Sequence, residues 1–349
     1  MLNKYLKNDK AKRARRKLQL EQLEDRVLYS AVPDVTISAP SGPQPGTNIS
    51  ITASFDNTSL TDTGFGPYVD IALPVTGADG LGVQIDDGIT FTGSVTFLGS
   101  AVPAGQIKQI TFNDADPVDH PYAKDASGNP IKVLTTQYGP IGTFRDGDVL
   151  LVVQLPFGSF TPNQPVADLT IGALVSNLAD IGTPLTIAAK SGFMFGNDEF
   201  DNPTTDPSLF SSVKTAIVTP RLITLTKTFS GPEGETATGP NYLRTYTISV
   251  DVATGHRFTE FNINDVLPND AQFVSVVSLT ENFAQNSTIN SISTPSTLTP
   301  GGTLSRQLVP NGAAEFIGVA GNDITMVISF YTPINDSTSA RIINAASGD

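Results

Sequence analysis

NYLRTYTISVDVATGHRFTEFNINDVLPND, residues 241–270, is the stretch whose reading decides the fold. Tyr246, Ile248, Val250 and Val252 alternate with Thr247, Ser249 and Asp251, the two-residue period of a strand with one buried face. Ala253-Thr254-Gly255-His256-Arg257 is polar and carries the glycine that a turn favours. Phe258, Phe261, Ile263 and Val266 form a second apolar run. It stops at Leu267-Pro268-Asn269-Asp270, because proline donates no ladder hydrogen bond and Asn and Asp accept turn geometry. The expectation is a β-hairpin.

Outward from this stretch the same pattern recurs. Ile49, Ile51, Ala53 and Phe55 alternate with Ser50, Thr52 and Ser54, and Tyr68–Leu73 ends in Pro74. Further strands are expected at Val35–Ala39, Ile89–Phe97, Gln109–Phe112, Ile131–Thr136, Val149–Leu155, Leu169–Ala173, Leu185–Ala189 and Val213–Ile217. Only Ile171–Leu178 is open to either a helical or an extended reading. Leu222–Lys227, Phe273–Leu279, Ile324–Tyr331 and Ala340–Ala346 follow in the second half, and the Ser/Thr/Asn/Pro-rich Asn282–Thr303 reads as a long loop or irregular edge. Many short strands between turn signals predict an all-β protein of tandem immunoglobulin-like or Greek-key β-sandwiches. The order of alternating strand, glycine turn and proline-ended strand after Ile49 parallels that after Tyr246. Two related domains in tandem are therefore expected, over residues 34–217 and 222–349.

The 349 residues suffice for two domains, and 30 glycines and 25 prolines suit strands joined by turns. With no cysteine there is no disulfide, thiolate metal site or thiol nucleophile. Residues 1–31 carry nine Lys/Arg against four Asp/Glu, whereas residues 32–349 carry twelve against thirty. So acidic a body repels phosphate backbones and argues against nucleic-acid binding by the folded part. No run of eighteen apolar residues predicts a transmembrane helix, and residues 1–31 lack the apolar core of an ordinary signal peptide.

Residues 1–31 read as a basic, partly helical N-terminal arm. Leu18, Leu20, Glu21, Leu23, Glu24, Arg26, Leu28, Ser30 and Ala31 resemble the N-terminal motif of large bacterial extracellular proteins, approximately L-x-L-E-x-L-E-x-R-x-L-L-S-A. Asp25 stands where that motif often has proline, and Tyr29 replaces its second leucine. The resemblance implies export or surface sorting, with removal of the arm near Ser30-Ala31.

A second resemblance covers residues 222–349. LTKTF, TYTISVDV, FNINDVLPNDAQFVSV, ITMVISFYTP and RIINAASGD succeed one another there, with the Asp265-Val266-Leu267-Pro268 element. This is similar to the bacterial surface repeat family called domain of unknown function eleven. Asp251 and Gly255 depart from the family's common asparagine and glycine after the first hairpin strand. The resemblance implies immunoglobulin-like sandwiches in tandem arrays on secreted or wall-attached proteins, with this chain the first part of a longer one.

Motifs for common enzyme chemistry are absent: there is no G-x-S-x-G, H-E-x-x-H, phosphate loop or strand–G-x-G-x-x-G–helix. Of the two histidines, His120 lies in an acidic polar loop and His256 in the expected hairpin turn. Calcium, which takes six to eight oxygens, has candidate loops at Asn113, Asp114, Asp116 and Asp119, and at Asn197, Asp198, Glu199, Asp201 and Asn202. A sparser one is Asp79, Asp86 and Asp87. In isopeptide-forming sandwiches a lysine on the first strand attacks an asparagine on the last, beside a carboxylate that relays protons. Lys227 and Asn344 suit those positions, with Asp251 or Glu260 as the acid.

The sequence thus reads as a non-enzymatic structural or adhesive module, secreted or at the cell surface, whose partners are surface proteins, glycans or neighbouring repeats. The alternative is a glycan- or protein-binding module of a surface-associated enzyme, for which Tyr122, Tyr138 and Phe157 are the aromatics that would form a platform.

Overall fold

The computed structural model describes residues 30–78, 87–196, 206–232, 237–312 and 315–333. The chain is all-β. Its first half contains β1 (Pro33–Ser38), β2 (Asn48–Asn57), β3 (Gly64–Leu73), β4 (Ile89–Phe97) and β5 (Ser100–Ala101). Then come β6 (Ile107–Thr111), β7 (Asp119–Lys124), β8 (Pro130–Lys132), β9 (Val149–Gln154) and β10 (Ser159–Phe160). β11 (Ala167–Val175), β12 (Leu185–Phe195), β13 (Leu209–Phe210) and β14 (Lys214–Val218) complete it. The second half holds β15 (Ile223–Ser230), β16 (Arg244–Val252), β17 (Arg257–Phe258), β18 (Phe261–Leu267) and β19 (Gln272–Glu281). β20 (Ser287–Ser293), β21 (Gly302–Pro310), β22 (Phe316–Ile317) and β23 (Ile324–Tyr331) follow.

The opening stretch is not a hairpin. β16 pairs with β15 and β23, while β18 pairs with β21 in another sheet. The segment between them is an arch that carries the chain from one sheet to the other, and Gly255 takes a left-handed φ of 84° in it. An alternating pattern reports which face of a strand is buried. It does not report which strand lies beside it.

The two halves share one strand order. The first has a sheet β1-β2-β11-β4-β5 facing a sheet β13-β12-β3-β9-β6. The second has β15-β16-β23-β19 facing β18-β21-β20. β1, β2, β11 and β4 thus correspond to β15, β16, β23 and β19, and β3, β9 and β6 to β18, β21 and β20. Among the described residues the correspondence lacks one main member. β3 pairs with β9 on one side and β12 on the other, whereas β18 pairs only with β21.

Each sandwich has its own core between its sheets. The first gathers Val35, Ile51, Phe55, Ile71, Leu151, Leu169, Ile187 and Phe193. Phe55 meets Phe160 and Phe193 edge-on at centroid distances of 5.1 and 5.3 Å, a favoured aromatic geometry. The second gathers Tyr246, Ile248, Val250, Phe273, Leu304, Phe316, Met326 and Phe330. Ile171–Leu178 resolves as strand β11 to Val175, because Ile171 and Ala173 register against β2. Ile131–Thr136 becomes a strand only over Pro130–Lys132, followed by a turn of 3-10 helix at Thr135–Gln137. The expected loop Asn282–Thr303 contains β20, which pairs with β21 at a sheet edge.

The first sandwich has a third layer. β9 is the unbroken apolar run Val149-Leu150-Leu151-Val152-Val153, so its sheet is buried on both faces. Phe112, Ala123, Val133, Tyr138 and Phe144, from the excursion between β6 and β9, cover the outer face at Tyr68, Ala72, Leu150, Val152 and Ala188.

Candidate functional site

Two buried polar constellations stand out, one in each half. In the first, Asp70 projects from β3 under the covering layer and is 2 % exposed. It accepts hydrogen bonds from His120 Nε2 at 3.0 Å and from the Tyr138 hydroxyl at 2.9 Å. His120 Nδ1 accepts the backbone N–H groups of Tyr122 and Ala123 at 3.1 and 2.8 Å. With two donors aimed at Nδ1, the ring proton is assigned to Nε2. Both ring nitrogens are thereby committed, and the imidazole has neither a free lone pair nor solvent access for general-base work. Burial, and after it the Asp70 charge, pushes the Tyr68 and Tyr138 phenols well above their ordinary pKa. Lys190, directly across the β3–β12 ladder from Asp70, is pushed down by burial, against the opposing pull of Asp70. The constellation fastens the covering layer to the sheet.

In the second half, Lys227 on β15 reaches between the sheets to the carboxylate of Asp265 on β18. Both side chains are 7 % exposed, and the ammonium sits 4.3 Å from the centre of the Tyr246 ring. Asp265 Oδ2 is buried with no hydrogen-bond partner among the described residues, although a carboxylate oxygen accepts up to two. The acid beside Lys227 is therefore Asp265. Neither Asp251 nor Glu260 reaches it: the Glu260 carboxylate accepts from Asn262 and Gln307, and Asp251 alternates to the opposite face of β16. Burial raises the Asp251 pKa, and the neighbouring Asp323 adds to the rise. Asn344 lies outside the described residues. In the sequence Asp265 stands inside the strand-ending Asp265-Val266-Leu267-Pro268 element, which hides its place in the core. Its inward parity with Ile263 and Leu267 was the available signal.

Of the first candidate calcium loop, Asn113, Asp114 and Asp119 have other partners. The Asp114 carboxylate accepts Thr135 N–H and Oγ1–H at 3.0 and 2.6 Å. Asn113 Oδ1 accepts Asp116 N–H at 3.3 Å, and Asp119 pairs with Lys132 at 2.7 Å. Asn197, Asp198, Glu199, Asp201 and Asn202 lie outside the described residues, as do Asp79 and Asp86; Asp87 is described and buried. Among the described residues, no three His, Asp or Glu converge to hold a metal ion. Nor do the named aromatics form a platform. Tyr138 is buried, Tyr122 packs on the covering layer, and Phe157 packs against Phe97 and Phe160. A cavity of about 110 Å³ between Pro74, Gly77, Arg145 and Thr186 is well below the several hundred Å³ typical of small-molecule sites. No helix among the described residues is long and apolar enough to cross a membrane.

No protein-family model matches the chain, and no curated protein matches it. Solved structures do. A structure described as AvmM, which catalyses macrocyclization in alchivemycin A biosynthesis, is 13% identical, with a TM-score of 0.31 over 59% of this chain and 92% of its own. The C-terminal domain of the Streptococcus agalactiae AgI/II polypeptide BspA is 9% identical, with a TM-score of 0.26 over 86% and 91%. The major pilin SpaD of Corynebacterium diphtheriae is 11% identical, with a TM-score of 0.26 over 66% of this chain and 42% of the pilin. At such scores the likeness defines neither a shared superposition nor a shared activity.

Proposed function

We propose that the chain is a structural or adhesive module of a secreted or cell-surface bacterial protein, without catalytic activity of its own. The observation that carries this reading is the repetition of one strand order in two successive sandwiches, each built around its own core. Such units extend a chain by stacking, and each added unit needs no new chemistry. Supporting it, the pairs His120–Asp70 in the first half and Lys227–Asp265 in the second are buried and held to one another across packed layers. The acidic body suits colloidal stability outside the cell, and the N-terminal motif implies export.

The test is the location of the chain in intact bacteria that express it. Protease added to whole cells is expected to remove the protein, or the medium to contain it, while a cytoplasmic marker stays intact. A chain that remains inside and is sheltered from protease overturns the proposal.

A further inference from the structure

One row of the second sandwich inverts the ordinary order of burial. Ile223, Leu225, Lys227 and Phe229 alternate on β15, opposite Val252, Val250, Ile248 and Tyr246 of β16. Those β16 residues are buried to within 4% exposure, yet Ile223, Leu225 and Phe229 are 41%, 44% and 56% exposed. The side chain of Lys227, the one charged member of the row, is 7% exposed. A lysine on an edge strand ordinarily carries its ammonium out to water. This one turns inward, between the sheets. In the first sandwich the row on β1 packs against β12 and β14, and Val35 is 1% exposed.

Nothing in the strand plan calls for an ion pair at this place. Leu73-Pro74 and Leu267-Pro268 end equivalent strands, and Ile71, fully buried, precedes the first as Asp265 precedes the second. Apolar residues of similar volume serve a core at least as well as a buried ion pair. Asp265 Oδ1 accepts the hydrogen bond of Lys227 Nζ, and the Tyr246 ring covers the ammonium at 4.3 Å. Oδ2 is buried without a partner among the described residues. An amine nitrogen and a carboxyl carbon are thus held one C–O bond from contact, in a site nearly closed to water. We propose that Lys227 and Asp265 condense into an amide that ties β15 to β18 across the core.

The atoms balance without any other reactant. One proton passes from Nζ to Oδ1, turning two buried charges into a neutral amine and a carboxylic acid, which a dry environment tolerates better. The Nζ lone pair then attacks Cγ and forms the N–C bond. Nitrogen passes a second proton to Oδ1, the Cγ–Oδ1 bond breaks, and water leaves. Oδ2 stays as the amide carbonyl, and one hydrogen stays on nitrogen. Neither Asp251 nor Glu260 reaches the pair, so Asp265 is both proton carrier and acceptor. Holding the two groups in contact stands in for a concentration of about 10⁵ M or more, which offsets the preference for separated ions in water.

The decisive measurement is the intact mass of the full chain under denaturing conditions, with the termini fixed by peptide mapping. The mass is expected to fall below that of the sequence by about 18 Da, one water, with Lys227 and Asp265 recovered in a single branched peptide. Lys227→Arg and Asp265→Ala are each expected to restore the full mass. A wild-type chain of full mass overturns the inference whether or not the variants fold. A loss of about 17 Da, one ammonia, with Lys227 in the branch makes a carboxamide the acceptor and overturns the role of Asp265. A loss that persists in Lys227→Arg, or that maps to a linear peptide, overturns the role of the lysine. None of these readings depends on where the protein resides in the cell.

Discussion

The two sandwiches are built on one strand order and differ in how they are closed. In the first, β12 and β14 seal the row at β1, and a further layer covers the outside of the second sheet. In the second, the row at β15 stays half open among the described residues, and a buried ion pair stands behind it. The comparison shows how one order of strands serves two ends. Where both faces of a sheet are apolar, the chain must cover both, and in the first sandwich it does so with the excursion that brings His120 and Tyr138 onto Asp70. Where only one face is apolar, no such layer is needed, and the polar groups of the core gather at the row left to be closed.

Removing Phe55 is the strongest way to break this comparison. It is fully buried between two aromatic rings, and Phe55→Ala is expected to cost about 3–5 kcal/mol. Calorimetry should show the transition of the first sandwich falling while that of the second holds its temperature. A fall of both transitions together would mean that the two cores unfold as one.

Next in size is Asp70→Ala. It leaves the His120 and Tyr138 donors buried without their acceptor, at a cost of about 2–4 kcal/mol. The covering layer should loosen first, so amide exchange is expected to rise at Phe112–Asp148 before it rises in the core facing β2. Equal acceleration across the first sandwich would remove the distinction between layer and core.

The smallest effect sharpens the electrostatics. Burial raises the pKa of Asp148, outweighing the bonds it accepts from Thr76 and Arg145 and the attraction of Arg145. The folded state therefore holds this proton more tightly than the unfolded chain. The group favours folding fully below the ordinary carboxylate value of about 3.9, and that contribution is lost as pH rises through the raised value. Asp148→Asn should lack the dependence. The stability of wild type minus variant, followed by chemical denaturation, is expected to decrease as pH rises from about 4 toward neutrality. A difference that is flat or rises with pH would contradict the assignment.

Much of the fold is legible in residues that alternate. Ile49–Phe55 and Tyr246–Val252 are strands buried on one face, as their two-residue period requires, and the proline after Leu73 and after Leu267 marks the end of equivalent strands. Val149–Val153 also carried its message. Five consecutive apolar residues imply burial on both faces, and hence a layer outside the sheet. Other features could not be read this way. The stretch 241–270 reads as a hairpin, yet its two strands belong to opposite sheets, because hydrophobic period is blind to the identity of the neighbouring strand. His120 sits among acids in the sequence, but the acid that holds it is Asp70, on a different strand.

By itself, then, the sequence determined the all-β class, the buried faces of its clearly alternating strands such as Ile49–Phe55 and Tyr246–Val252, and the opposite charges of arm and body. Each of these is set by residues close together in the chain. The tertiary structure alone decided which strands pair, which carboxylate meets His120 and which meets Lys227. Those are contacts between residues far apart in sequence, selected by the packing of whole sheets, and no local pattern encodes them.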